Sequence, residues 1–254
     1  MPTPDPEPLV VYGPANLDYD FGPDHPFTPR RFGPGIDLLR ELGANPDAFA
    51  PPEPVPDDVL ATVHTAPFLG SIHRLSEYPE LAAHEAVTDG DTPPFYGMDQ
   101  AAASVVGGTV GAMERILAGE RTHAFHPGGG LHHAFPGRAT GFCVFNDLAI
   151  LIHFLRRAAA LIASDPNVFT LSLHGRNNFP FSKQQSSLDI AFPGQTTDDE
   201  YLEALSSALP HVFDFNPGVI LYQSGVDALA TGRLALIPRK KSTPTPPPES
   251  RKLS

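Results

Sequence analysis

Apolar residues along this chain fall alternately into short β-branched runs and longer stretches of helical period. The run LVVYGP (9–14), closed by Gly-Pro, predicts a buried strand. A periodic segment from Ile36 to Leu42 predicts a helix stopped by Gly43. Asp57 and Asp58 can cap a helix running through Val63, and a further helix covers Ala66 to Leu75. Asp99 is placed to cap a longer helix, QAAASVVGGTVGAMERILAGE, whose small residues let neighbouring backbones come close. THAFHPGG (122–129) predicts a second strand running into a glycine loop, and Asn146 to Ser164 an amphipathic helix with Leu148, Leu151, Ile152, Leu155 and Ala159 on one face. NVFTLSLHG is a third strand, DDEYLEALSSALPHVF a helix with acidic caps, and GVILYQSG a buried strand leading to Asp227. Strands and helices in this order imply an α/β domain with a parallel sheet covered by helices on both faces. Working residues of such sheets gather beyond the carboxyl ends of the strands, which here carry His132 and His133, His174, and Asp227.

Composition narrows this picture. The 254 residues suit one α/β domain, assigned to 9–237, between a tail at 1–8 and a proline-rich tail at 238–254 expected to be disordered. The 30 prolines gather at the two ends and in FAPPEPVPDD, marking loops. A net charge of −12 argues against direct nucleic-acid binding and suits a cationic or neutral ligand. The single cysteine excludes an internal disulfide framework and multi-cysteine metal sites. No apolar window is long enough to span a membrane and the amino terminus is unlike a signal peptide. The expectation is a soluble cytoplasmic protein, or a nuclear one in a eukaryote.

The candidate chemistry lies in GGGLHHAFPGRATGFCVFND, residues 128–147. Glycine permits left-handed backbone and close approach, so a glycine-rich loop can present two imidazoles to one point. Imidazoles suit proton transfer near neutrality, although one could equally pack while the other is solvated. Asp227, following YQSG, could bind a divalent metal or cap the helix ALAT. Asp91 in DGDTPPFYG fits a tight turn, Cys143 a small buried hydrophobe, and His123, His126 and His174 structural roles.

PGGGLHHA followed by GFCVFNDLAIL resembles the histone deacetylase superfamily, including its bacterial acetoin-utilisation and acetylpolyamine amidohydrolase branches. The likeness runs from Val10 to Leu236. It takes in DHPFTPRR, GDTPPFYGM, FTLSLHG and YQSGVDALATGRLAL. The resemblance implies an arginase/deacetylase-like fold and zinc-assisted hydrolysis of an acetylated lysine peptide, an acetylated polyamine or another small amide. It makes His132 and His133 a tandem acid/base pair and Asp227 one of three zinc ligands. Gly141 and Phe142 would line an acyl-lysine tunnel, with Phe179 or Phe181 opposite, Asp91 would hold the substrate backbone, and Arg31 would lie in an internal channel.

Two departures from the family pattern accompany the likeness. The Asp-x-Asp-x-His strand that precedes FTLSLH in the family is missing, because HFLRRAAALIASDPNVF leads straight into it, so one core strand and two zinc ligands are absent. After Leu236 the chain turns to proline and lysine, where the family places a tyrosine beside the polarised carbonyl. The reading is therefore a zinc-dependent deacetylase-like amidohydrolase. Its alternatives are a non-catalytic acyl-lysine binding or scaffold relative, the product of a truncated gene, and a different metal hydrolase on an arginase-like sheet.

Overall fold

The structure, a computed structural model, describes residues 7–156, 167–176 and 186–225. Two compact units divide the chain, Met1–Ile162 and Ala163–Ser254.

In the first unit β1 (Leu9–Val11) is flanked in parallel by β2 (Phe49–Ala50) and β3 (Ala124–Phe125), giving the order β2-β1-β3. All three residues of β1 are buried, as a central parallel strand requires. The predicted first and second strands are thus present but shorter. Beyond their carboxyl ends the chain turns through a 3-10 segment at Pro14–Leu17 and through the glycine loop that starts at His126.

Helices α1 (Gly33–Glu41), α2 (Asp57–Leu60), α3 (Ala66–Glu77), α4 (Met98–Leu117) and α5 (Asp147–Arg156) complete this unit. On α3 the buried residues Phe68, Leu69, Ile72 and Leu75 recur at helical spacing and join Met98, Ala102, Val105 and Val106 of α4 in one core. Full burial of each large side chain contributes about 1.5–3 kcal/mol. The small residues of α4 act as expected. A Cβ on Gly107 would stand 1.7 Å from the Glu53 carbonyl oxygen, and the Val55 amide donates to the Ala103 carbonyl across this contact.

Asp99 does not cap α4. The cap position is Gly97, in left-handed conformation with φ 75°, and Asp99 lies within the first turn. Its carboxylate is occupied laterally, accepting from Ser76 Oγ at 2.5 Å and meeting His73 Nδ1 at 3.0 Å, while His73 Nε2 meets Asp57 at 2.9 Å. His73 therefore ties α2, α3 and α4 together. The hydrogen bond to Asp99 raises its pKa above the ordinary imidazole value, and burial partly opposes this. A raised pKa means that the tie contributes fully below the unfolded value and fades as pH rises through the folded one. With 40% of the side chain exposed, the contribution is no more than about 1 kcal/mol. Denaturation of wild type and His73→Ala at pH 5.5 and 9 should show a difference only at the lower pH.

In the second unit β4 (Leu171–Gly175) pairs in parallel with β5 (Leu188–Phe192), from Leu171↔Leu188 to Gly175↔Phe192, and α6 (Asp198–Asp214) follows. Thr197 caps α6 in a capping box with Glu200, as the acidic start of that segment leads one to expect. The strand expected in GVILYQSG is not formed. Residues 218–225 are irregular, with Ile220 58% and Tyr222 83% exposed, because no ladder partner for them exists among the described residues. β5 takes the place beside β4. The carboxyl end of the helix expected to reach Ser164, residues 1–6 of the expected amino-terminal tail, the expected tail at 238–254, and Asp227, Phe179 and Phe181 lie outside the described residues.

Candidate functional site

The glycine loop closes on a buried carboxylate. Asp147, fully buried at the start of α5, accepts from Thr109 Oγ1 at 2.6 Å and the Gly130 amide at 2.9 Å through one oxygen, and from the Leu131 amide at 2.7 Å through the other. Glycine is needed here for space as well as for backbone freedom. Gly130 has φ 86°, and a Cβ on Gly129 would stand 2.8 Å from His126 Nδ1 and 3.0 Å from both Asp147 Oδ2 and Thr109 Oγ1.

Asn146 grips the next stretch of the loop. Its Nδ2 donates to the carbonyls of His132 and Ala134, each at 3.0 Å, and its Oδ1 accepts from the Ala149 amide, capping α5. Its own amide donates to Nε2 of buried His64 at 3.0 Å. Two consecutive side chains thereby fix the backbone on both sides of His132 and His133. The two rings stand 4.1 Å apart between centroids. His132 is exposed, and its Nδ1 donates to the Gly130 carbonyl at 3.0 Å, which leaves Nε2 as the proton-accepting nitrogen of the neutral ring.

A second loop meets the first at Cys143. The thiol is buried against the Gly141 carbonyl at 3.3 Å, and burial, opposed by the backbones of His133 and Ala134, pushes its pKa up to about 12. It is a packed thiol, in line with the small-hydrophobe reading. Gly141 and Phe142 both take left-handed backbone, φ 60° and 69°. For Phe142 that conformation is strained, and hydrogen bonds hold it. Its amide donates to Thr92 Oγ1 at 3.0 Å, and buried Tyr19 donates to its carbonyl at 2.9 Å while accepting from the Val144 amide at 3.0 Å. Tyr19→Phe should leave the Phe142 carbonyl and the Val144 amide without their partner, lowering stability by about 1–3 kcal/mol in thermal or chemical unfolding.

Asp91 lies in an exposed turn, its amide bonded to Asp89 Oδ1 at 3.2 Å. The Asp91 carbonyl accepts from His25 Nε2 at 3.2 Å, and the His25 ring meets the Phe142 ring edge-on at 4.9 Å. Arg31 packs its guanidinium over Phe27 at 3.8 Å and Phe32 at 4.6 Å, and burial lowers its pKa against the opposing pull of Tyr19 and Cys143. The first unit thus links Asp91, Gly141, Phe142 and Arg31 through Tyr19, His25 and Phe27, and joins them at Cys143 to the loop of His132 and His133. His174 is the penultimate residue of β4 in the second unit, with Nδ1 3.0 Å from the Gly175 carbonyl oxygen and Nε2 3.7 Å from Asp189. Among the described residues no three His, Cys, Asp or Glu side chains converge to hold a metal ion.

The histone deacetylase domain family matches residues 25–163 and 158–240, most of the chain. This chain is a member of the histone deacetylase family. The two stretches of the match overlap at 158–163. This deacetylase homologue is 34% identical to the acetoin utilization protein AcuC of Bacillus subtilis, over 87% of the chain and 66% of that protein. It is 29% identical to AcuC of Staphylococcus xylosus, over 85% and 66%. The chain spans just under two thirds of the length of these curated relatives. Crystal structures of an HDAC homologue from Aquifex aeolicus, and of an HDAC homologue complexed with SAHA, superpose with TM-scores of 0.71 and 0.73 at 28% identity. They cover 89% and 91% of this chain and 70% and 72% of their own. The likeness establishes the deacetylase fold and the acetoin-utilisation branch for this chain.

Sequence reading found the tandem histidines, the glycine loop and the Gly141–Phe142 turn but gave no supporting role to Asn146, Asp147 and Thr109 at the first two, or to Tyr19 and Thr92 at the turn. Asn146 carried a usable signal, an Asn directly before an apolar helix. The others act across tens of residues and leave no local pattern.

Proposed function

We propose that this chain binds an acetylated lysine side chain, or the acetyl end of an acetylated polyamine or similar small amide, without hydrolysing it efficiently. The observation that carries the reading is the grip of Asn146 and Asp147 on the loop of His132 and His133, joined at Cys143 to the strained Gly141–Phe142 turn. In this arrangement Phe142 lines one side of the acyl chain, Asp91 accepts from the backbone of the ligand, and His132 Nε2 faces the amide as a hydrogen-bond acceptor. Arg31 lies behind the turn as part of an internal channel. The net charge of −12 favours ligands that carry further amines.

Family membership implies zinc, and catalytic zinc takes three protein ligands with an open position. The chain contains no Asp-x-Asp-x-His, and Asp227 is the one motif ligand it keeps. One carboxylate does not fit the ion. Imidazoles alone can accept and return a proton, but an amide carbonyl without strong polarisation resists attack by water. Binding without turnover follows.

The tandem imidazoles themselves favour a second reading, an active amidohydrolase. Calorimetric titration with an acetyl-lysine peptide, its unmodified twin and an acetylated polyamine tests the binding claim. The expected result is acetyl-dependent affinity that falls at least about tenfold in Phe142→Ala, the loss of one anchoring aromatic. Equal affinity for acetylated and unmodified peptides would refute it.

A further inference from the structure

Along its second half α4 draws away from the strands beneath it. At Gly107 and Gly108 the layers touch, since a Cβ would stand 1.7 Å from the Glu53 carbonyl oxygen at the first and 2.8 Å from Val11 Cγ1 at the second. One turn further on, a Cβ at Gly111 would meet nothing within 4 Å. A groove of about 400 Å³ opens here. Its floor is formed by Leu9, Val11, Ala50 and Ala112, a small apolar cluster apart from the main core. On the helix side it runs from Gly107 to Ala118, about 16 Å at 1.5 Å per residue.

Close packing requires glycine at 107 and 108 but not at 111. Inside a helix glycine is less stable than alanine, so at 111 the sequence gives up helix stability and leaves the floor uncovered. The charged residues that line the groove are Glu53, Glu114, Glu120 and Arg115, all exposed. Three carboxylates against one guanidinium make the rim negative. Among the described residues none of the three carboxylates is engaged in a hydrogen bond or ion pair. The carboxyl end of α4, at Ala118, adds the negative end of the helix dipole.

We propose that this groove binds a small aliphatic amine, its chain on the apolar floor and its ammonium group among Glu53, Glu114 and Glu120. The volume lies within the range of small-molecule pockets, about 300–1,000 Å³, whereas a stable protein interface takes about 800 Å² from each partner. The occupant is therefore a small molecule. The floor supplies affinity by taking apolar surface out of water, and the rim selects charge, since a carboxylate ligand meets three like charges. None of the lining residues belongs to the loop of His132 and His133 or to the Gly141–Phe142 turn. This is a second site, and its ligand needs no acetyl group.

Titration of the nitrogen-15-labelled full chain with hexylamine, hexanol and hexanoate, followed through backbone amide shifts, tests this. With hexylamine the expected result is saturable shifts centred on Gly111, Ala112 and Glu114. Hexanol should bind at least about threefold more weakly, the scale of losing contacts to exposed carboxylates, and hexanoate more weakly still. Leucine at 111 would cover the floor, so Gly111→Leu should keep or raise Tm while weakening hexylamine at least about tenfold. If that variant does not fold, Glu114→Gln combined with Glu120→Gln decides, by bringing hexylamine down to the level of hexanol. Shifts that do not saturate or that spread over the whole acidic surface, equal binding of the three probes, or undiminished binding to Gly111→Leu would overturn the proposal. None of these readouts needs acetyl-amine binding or hydrolysis, so their outcome is separate from that of the function proposed above.

Discussion

Asp147→Ala is expected to lower the unfolding free energy by about 3–5 kcal/mol, the scale of breaking a buried charged network. The carboxylate is fully buried and accepts from Thr109 Oγ1 and from the Gly130 and Leu131 amides. Truncation leaves all three donors buried, and each unsatisfied group costs about 1–3 kcal/mol. Asp147→Asn should fall between wild type and alanine, since one oxygen remains while an NH2 group turns toward a donor. Urea denaturation of the three proteins checks the order. A loss below about 1 kcal/mol for the alanine variant would mean that the loop holding His132 and His133 does not depend on this carboxylate.

Acidification is the second large effect. Burial lowers the pKa of both His64 and His126 to about 4; carbonyls of Pro136 and Phe135 partly oppose the shift at His64, as Asp147 does at His126. In the unfolded chain both rings take up protons near the ordinary imidazole value. Their neutral burial therefore favours the folded state fully above that value, and the benefit is lost as pH falls from 6.5 toward 4. The loss is on the order of 3 kcal/mol per ring at the full shift. Denaturation midpoints measured between pH 7.5 and 4.5 should fall steadily over this window. A flat profile would contradict the burial of neutral rings. The tie at His73 acts in the opposite sense and fades on the alkaline side, so maximal stability is expected near neutrality.

Helices were the most legible part of the fold. α3 and α4 follow from periodic apolar residues, α6 from its acidic start, and the close approach at Gly107 from the small residues around it. Strands were less so. β1, β3 and β4 formed within predicted runs, but GVILYQSG, the most strand-like run by composition, has no ladder among the described residues, while the shorter LDIAF pairs as β5. Strand formation depends on a partner that local sequence does not name. Asp99 shows the same limit for helix caps, because His73 and Ser76 compete for its carboxylate from another helix.

The site divides along similar lines. Its family was readable in GGGLHHA, and the family match bears out the resemblance drawn from it. Its mechanics were not. Tyr19 reaches the Phe142–Val144 turn across more than a hundred residues, and the Thr109–Asp147 bond spans 38. Asp227, Phe179 and Phe181 remain proposals, as they lie outside the described residues.

The most direct test is metal analysis of the purified chain, incubated with zinc and then desalted, beside hydrolysis of an acetyl-lysine peptide with and without chelator. Well under one zinc per chain and no chelator-sensitive deacetylation are expected. Stoichiometric zinc together with chelator-sensitive release of acetate would show that the remaining residues do complete a metal centre, and would contradict the claim that this chain binds acetylated amines without cleaving them.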